Sequence, residues 1–337
     1  MYNISPIIIL FLISTIYSDL RYEKCVDSSM TYILDQDYNG AIKYLLGEIE
    51  KDSSNLDAFY MILNVYTTEL LDYESYILNG SRVCAYADTV LDYINRHIER
   101  KDLKQEAYKK YLFFKGNIFM HKGLIQAKTG SWIQGVKNAR ISVRLLKELL
   151  LLDSNCYDAI LPVGLFNYYI GQNLKWIPFM NLKAKTALSD IEKSATVESP
   201  FSYGAKKSLL EIYIEKKQYK KADSLVSDIL IKYPDNTIFL GIKAKISLLT
   251  KEFSKAILLG KKLKSLSENR TPVNWTDLTA AYYIVIASQY AIKNFSTCIL
   301  SIESVNDLEI PRSAHEIIYV EKHLEKINNL KHKIQRK

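Results

Sequence analysis

Residues 211–236, EIYIEKKQYKKADSLVSDILIKYPDN, hold two stretches with helical spacing around a lysine-rich turn, closed by a proline. Leu209, Leu210, Ile212 and Tyr213 form an apolar stripe before the turn, and Ala222, Leu225, Val226 and Ile229 form another after it. KKQYKK is too short for anything but a tight turn, so the two helices must run antiparallel. Pro234 stops the second helix, because proline lacks an amide hydrogen and its predecessor avoids the helical region.

The arrangement returns 34 residues later, where Phe253 and Ala256 stand in the places of Tyr219 and Ala222. An aromatic followed three residues on by a small residue also occurs at Tyr38/Ala41, Trp132/Gly135 and Phe295/Cys298. The small residue lets the second helix approach the first, and the aromatic is expected to plug the gap at the turn. Each hairpin keeps one apolar face that only a neighbouring hairpin can cover, so the hairpins must stack.

A 34-residue period with this content resembles the tetratricopeptide repeat. The match is sharpest over 203–236, where Leu209, Tyr213, Ala222 and Pro234 stand at the motif's leucine, tyrosine, alanine and proline. Lys206 and Leu210 replace its tryptophan and glycine, and Gly123 supplies the first-helix glycine of the Trp132 unit. Over about 116–240 the chain also looks like a group of exported bacterial tetratricopeptide proteins of unknown role. More distantly it is similar to the eukaryotic inclusion-body-clearance repeat family. The resemblance implies an all-α solenoid of antiparallel helical hairpins, a TPR-like superhelix, and carries over no catalytic residue.

Composition agrees. The chain has 337 residues, 48% of them hydrophobic, and only 12 glycines and 7 prolines, which disfavours turn-rich β folds and disordered linkers. MYNISPIIILFLISTIYS reads as a signal peptide over 1–18 with cleavage after Ser18; an uncleaved N-terminal membrane anchor is the alternative. Its apolar run falls short of the ~20 residues a spanning helix needs. Six or seven hairpins then fill 19–312, with an insertion near 171–180 (GQNLKWIPFM) and a long connection over 265–277. A capping helix and basic tail occupy 313–337, the helix running from Ser313 to Ile334. The insertion carries Trp176, Ile177, Phe179 and Met180, expected to fold back as a core plug or to present an exposed anchor.

No chemistry-bearing motif appears. The five histidines lack i, i+4 pairing, and no HExxH, phosphate loop or GxSxG elbow occurs, so no catalytic, metal or cofactor residue is assigned. Cys25, Cys84, Cys156 and Cys298 have no CxxC spacing and are read as packing residues. Residues 204–264 hold 14 lysines against 6 acidic residues, a local +8 equal to the net charge of the whole chain. Read as function, this is a patch for an acidic protein or an anionic lipid surface; read structurally, it is a solvated face. Nucleic acid is disfavoured, because the lysines lack interleaved aromatics.

In this architecture the first helices line the concave surface. The expected contacts for a protein or peptide partner are Tyr60 and Asn64, Met120 and Leu124, Tyr168 and Tyr169, and Lys207 and Glu211. The expected role is a non-catalytic protein–protein interaction scaffold of the bacterial envelope. The alternatives are an enzyme or enzyme subunit acting on an envelope polymer, and a peripheral membrane adaptor using 204–264.

Overall fold

A computed structural model describes residues 22–97, 105–173 and 180–336. The expected signal segment, the tail residue Lys337 and the side chains of Trp176, Ile177, Phe179 and Met180 lie outside what is described.

Every regular element among the described residues is a helix, and the helices pair into seven antiparallel hairpins. These are α1 (Lys24–Leu34) with α2 (Tyr38–Lys51), α3 (Leu56–Asp72) with α4 (Tyr76–His97), and α5 (Gln105–Lys128) with α6 (Trp132–Leu152). Then come α7 (Tyr157–Asn173) with α8 (Met180–Thr196), α9 (Ser202–Glu215) with α10 (Tyr219–Lys232), α11 (Thr237–Leu249) with α12 (Phe253–Glu268), and α13 (Trp275–Ala291) with α14 (Phe295–Asn306). A short α15 (Arg312–His315) precedes α16 (Ile318–Gln335), which packs on α13 and buries Val320 and Ile327. The expected single terminal helix is therefore two, separated at Glu316 and Ile317.

Among the described residues one turn is used six times. Gln36, Glu74, Gly130, Lys217, Lys251 and Lys293 all have positive φ, and each lies two residues before the first residue of the returning helix. In each turn the next amide reaches back five residues: Asp37 to the Tyr32 carbonyl at 2.9 Å, Ser75 to Leu70 at 3.1 Å, Ser131 to Gln126 at 2.8 Å. Gln218 bonds Tyr213 at 2.7 Å, Glu252 bonds Ser247 at 2.8 Å and Asn294 bonds Gln289 at 2.9 Å. This is the Schellman closure, which satisfies carbonyls left over at a helix C-terminus.

Behind the turns the small residues sit at the crossings. Ala41, Ala222, Ala256 and Cys298 are wholly buried, and Gly135 faces Gly123 so closely that a Cβ on it would lie 2.9 Å from the Gly123 carbonyl oxygen. Tyr38 is buried and Tyr219, Phe253 and Phe295 are half-buried, but Trp132 is 70% exposed. It plugs nothing, because the glycine–glycine crossing already closes that gap. Tyr76 opens the same turn in the second hairpin, a unit the spacing pattern missed because Asn79 occupies the small position and Gly80 follows it. All four cysteines are free thiols, three of them buried.

Candidate functional site: the seam between the first and last hairpins

The row of hairpins turns back on itself. Leu34, Gln36, Asp72 and Tyr73, at the turns of the first two hairpins, bond to residues about two hundred positions further on, around the starts of α11 and α13. Two asparagines make these joints by serving both strokes of their amide. Asn236 caps α11 by accepting from the Phe239 amide, while its Nδ2 donates to the Leu34 carbonyl at 2.7 Å. Asn274 caps α13 by accepting from the Asp277 amide, while its Nδ2 donates to the Asp72 carbonyl at 3.2 Å and to Asp72 Oδ1 at 3.1 Å. Leu34 and Asp72 end their helices, so each joint also satisfies an orphan carbonyl.

Asp72 is the hub. Its side chain has no solvent exposure, and it accepts from Tyr38 Oη at 2.7 Å, Gln36 Nε2 at 2.9 Å and Arg270 Nη1 at 2.7 Å in addition to Asn274. Arg270 also lies over the rings of Tyr73 and Tyr38, at 4.6 and 5.8 Å. Burial and then the Asp72 carboxylate push the Tyr38 phenol above its ordinary range. Burial, with Asp72 adding to it, raises the neighbouring Asp277 carboxyl to about 7. A buried carboxylate held by three neutral donors and a cation is a structural joint, since its oxygens are committed to the chain itself.

The long connection was expected over 265–277, but α12 continues to Glu268 and α13 starts at Trp275. The remaining stretch supplies Arg270, Pro272 and Asn274 to the seam, so the departure from the 34-residue period is where the molecule closes. Tyr73 Oη donates to the Pro272 carbonyl at 3.1 Å, and Thr276 Oγ1 to the Tyr73 carbonyl at 3.1 Å.

Beside the seam lies a pocket of about 330 Å³ between α3, α4, the 269–274 connection and α15. Leu70, Leu78, Val83, Val273 and Ile317 give it apolar walls, and Tyr66, Tyr73 and Trp275 give it aromatic ones. Arg82 stands 5.6 Å over the Tyr66 ring, and burial, then Asp72, raise the Glu69 carboxyl above its usual value. Burial likewise raises Tyr73 to about 12. An apolar slot with one cation and one acid suits a short side-chain-bearing segment. Nothing in the sequence pattern marked it, because its walls come from four separate elements.

The expected groove residues divide. Tyr60 is a correction: it is buried and stacks on Phe114 with ring centroids 4.4 Å apart. Tyr168 is another, wholly inside the core with Tyr169 standing on its edge at 5.3 Å. Both sit on apolar-rich helices whose periodicity does not say which aromatic faces inward. Asn64 is half-buried against Met30, with Nδ2 3.6 Å from the sulfur, and Met120 is half-buried. Leu124 and Tyr169 are exposed. Lys207 bonds Glu211 at 2.7 Å; burial works against its charge, but Glu211, Glu74 and Asp72 raise it above the usual lysine range. Glu211 also bears on Tyr169 and on Glu74, so the α9 pair and Tyr169 gather around the turn of the second hairpin.

The interior is further occupied near the N-terminus. The Tyr22 ring lies between Phe113 and Phe201, at 5.8 and 5.3 Å, and its hydroxyl donates to Asp158 at 2.8 Å. The lysine-rich region 204–264 is largely paired within the chain: Lys243 meets Asp223 at 2.6 Å, Lys262 meets Asp235 at 2.8 Å and Lys264 meets Glu268 at 3.0 Å. Lys206 covers Tyr203, and Lys216 lies over Tyr168. No group of metal-ligating side chains occurs among the described residues, and no described helix is long and apolar enough to cross a membrane.

No family model matches the chain, and no curated protein matches it. Solved structures do. The C-terminal part of a TPR repeat-containing protein from Cytophaga hutchinsonii is 15% identical, over 87% of this chain and 99% of that one, with a TM-score of 0.42. A tetratricopeptide repeat protein from Parabacteroides merdae is 12% identical, over 91% and 99%, with a TM-score of 0.39. Yeast Tom70 is 10% identical, over 91% and 89%, with a TM-score of 0.33. With or without these likenesses, the repeated hairpin and its six matching turns make the chain a helical-repeat solenoid of tetratricopeptide-like architecture.

Proposed function

We propose that the protein is a non-catalytic interaction scaffold of the bacterial cell envelope that takes a short segment of a partner protein in the pocket beside the seam. The observation that carries this reading is the pocket itself: apolar and aromatic walls from α3, α4 and the 269–274 connection, with Arg82 at one side. Leu78 and Arg82 suit an apolar side chain followed by a carboxylate, which is an acidic peptide. Leu124, Tyr169, Lys207 and Glu211 form a second candidate contact set along the first helices. Export rests on the signal-like residues 1–18 and is tested separately: sequencing of the mature N-terminus is expected to begin after Ser18, and an intact Met1 would count against it.

The polymer-acting alternative asks for paired carboxylates open to a cleft. Asp72 and Asp277 are one neighbouring pair at the seam, and there Asp72 is consumed by the joint. The scaffold reading is tested by affinity capture from the native host with the full chain and with Leu78→Glu and Arg82→Glu. Loss of the same captured protein in both variants supports the pocket; unchanged capture contradicts it.

A further inference from the structure

The outer face of α6 sets basic side chains among exposed tryptophan and aliphatic ones. At 3.6 residues per turn, Trp132, Val136, Lys147, Arg140, Ile133, Leu151, Arg144 and Lys137 fall within one arc of about 140°. The opposite side of the helix carries the buried residues Gly135, Asn138, Ser142, Leu145, Leu146 and Leu149, while Val143, at the Trp132 edge of the arc, is buried as well. Ile133 and Leu151 are almost fully exposed, at 89% and 88%, and all four cations face solvent. Two shallow, open depressions run along this arc and meet at Arg140.

Charge separates this face from the 204–264 lysines. Most of those have carboxylates or tyrosine rings against them, as Lys243, Lys255, Lys262 and Lys264 do; among the described residues none of Lys137, Arg140, Arg144 and Lys147 has an acidic partner. The only acid on α6, Glu148, accepts a hydrogen bond from Tyr108. A helix face that combines bare cations with an exposed tryptophan and exposed aliphatic side chains has the composition of an interfacial membrane helix. A partner helix would seek a groove, whereas this arc is a ridge with only shallow hollows. Lysine and arginine stems can lie along the apolar boundary while their charges reach phosphate groups.

We propose that the α6 face is a docking surface for a membrane rich in anionic phospholipid, with Trp132 and Ile133 entering the headgroup boundary and Lys137, Arg140, Arg144 and Lys147 lying over the phosphates. This goes beyond the scaffold reading and does not depend on it, since the pocket and this face are on different hairpins.

The test uses the full chain with vesicles of phosphatidylcholine alone and of phosphatidylcholine with phosphatidylglycerol. Flotation measures binding. Quenching by brominated lipid, taken as the difference between the wild-type chain and Trp132→Phe, reports α6 alone, whatever residues 1–18 contribute. Trp132 quenching is expected on the anionic vesicles only and is lost in 0.5 M salt (~4 Å screening length). Arg140→Glu with Arg144→Glu should weaken the anionic binding at least about tenfold, since each basic residue near such a surface contributes of the order of one kilocalorie. Lys220→Glu with Lys221→Glu should leave Trp132 quenching unchanged. Absence of binding, vesicle binding without Trp132 quenching, or equal quenching in the α6 charge reversal would each overturn the proposal.

Discussion

The α9–α12 hairpins and the α5–α6 hairpin solve one packing problem in two ways. In the first region the helices are 13 to 16 residues long, and Ala222 or Ala256 sits at the crossing. In the second they are 24 and 21 residues long, and Gly123 meets Gly135 backbone to backbone. The turn is the same in both, with positive φ at Lys217 and Lys251 in one and at Gly130 in the other. Extra length then has a consequence. The short helices spend most of their lysines on partners within the chain, whereas the outer face of α6 is left with cations and apolar groups that the chain does not cover.

The largest expected effect concerns the seam, which joins both regions into one closed row. Asp72→Ala strips the partner from a buried arginine and three further donors, and should cost about 3–5 kcal/mol in chemical unfolding. A loss below about 1 kcal/mol would mean that the first hairpins do not depend on the last.

Next comes the crossing. A side chain at Gly135 meets backbone atoms, which cannot step aside, so Gly135→Leu should cost about 3 kcal/mol. Ala222→Leu overpacks a wholly buried small site that already holds a Cβ, and should cost ~1–3 kcal/mol. Thermal melts that rank the two the other way would erase the distinction between the regions.

A pH effect follows at the seam. The Asp277 carboxyl is raised, so the folded state holds its proton more tightly than the unfolded chain does. Its contribution to stability is complete below the unfolded value near 4, and is lost as pH rises through about 7. Burial lowers His121 and His323 to about 4, which has the opposite sign: their contribution is complete above about 6.5 and lost as pH falls toward 4. Asp277→Asn, which keeps the amide–Asn274 geometry, should remove the decline between about pH 4 and 7 while leaving the histidine contribution in place. A decline of unchanged size in that variant would assign it to another group.

The smallest effect separates the turns. Gly130 adopts its left-handed conformation without strain, and Lys251 does not. Lys251→Gly should therefore stabilise by about 0.5–1 kcal/mol, a gain that Gly130 already embodies. Destabilisation would show that the Lys251 side chain contributes more than its backbone costs.

The local unit was legible because it repeats. Tyr219 with Ala222 and Phe253 with Ala256 carry the turn and the crossing in four residues, and stacking follows from the uncovered faces. The Tyr76 unit was hidden by one displaced small residue. The seam was not legible at all: Gln36, Asp72, Arg270 and Asn274 are single polar residues far apart in the chain, each ordinary in its own helix end. The groove set failed at Tyr60 and Tyr168 for a related reason, since an aromatic on an apolar-rich helix reads alike whether it faces a trough or the next hairpin.

The most direct test of the closure is a distance across the seam. Nitroxides at Asn39→Cys and Asp235→Cys, in a Cys84→Ser background that leaves only buried thiols, place one spin label just beyond each side of the Gln36–Thr237 joint. A single short separation that lengthens and broadens on Asp72→Ala is the predicted result. A broad, long separation in the unmodified seam would contradict it, and would mean that the solenoid stands open.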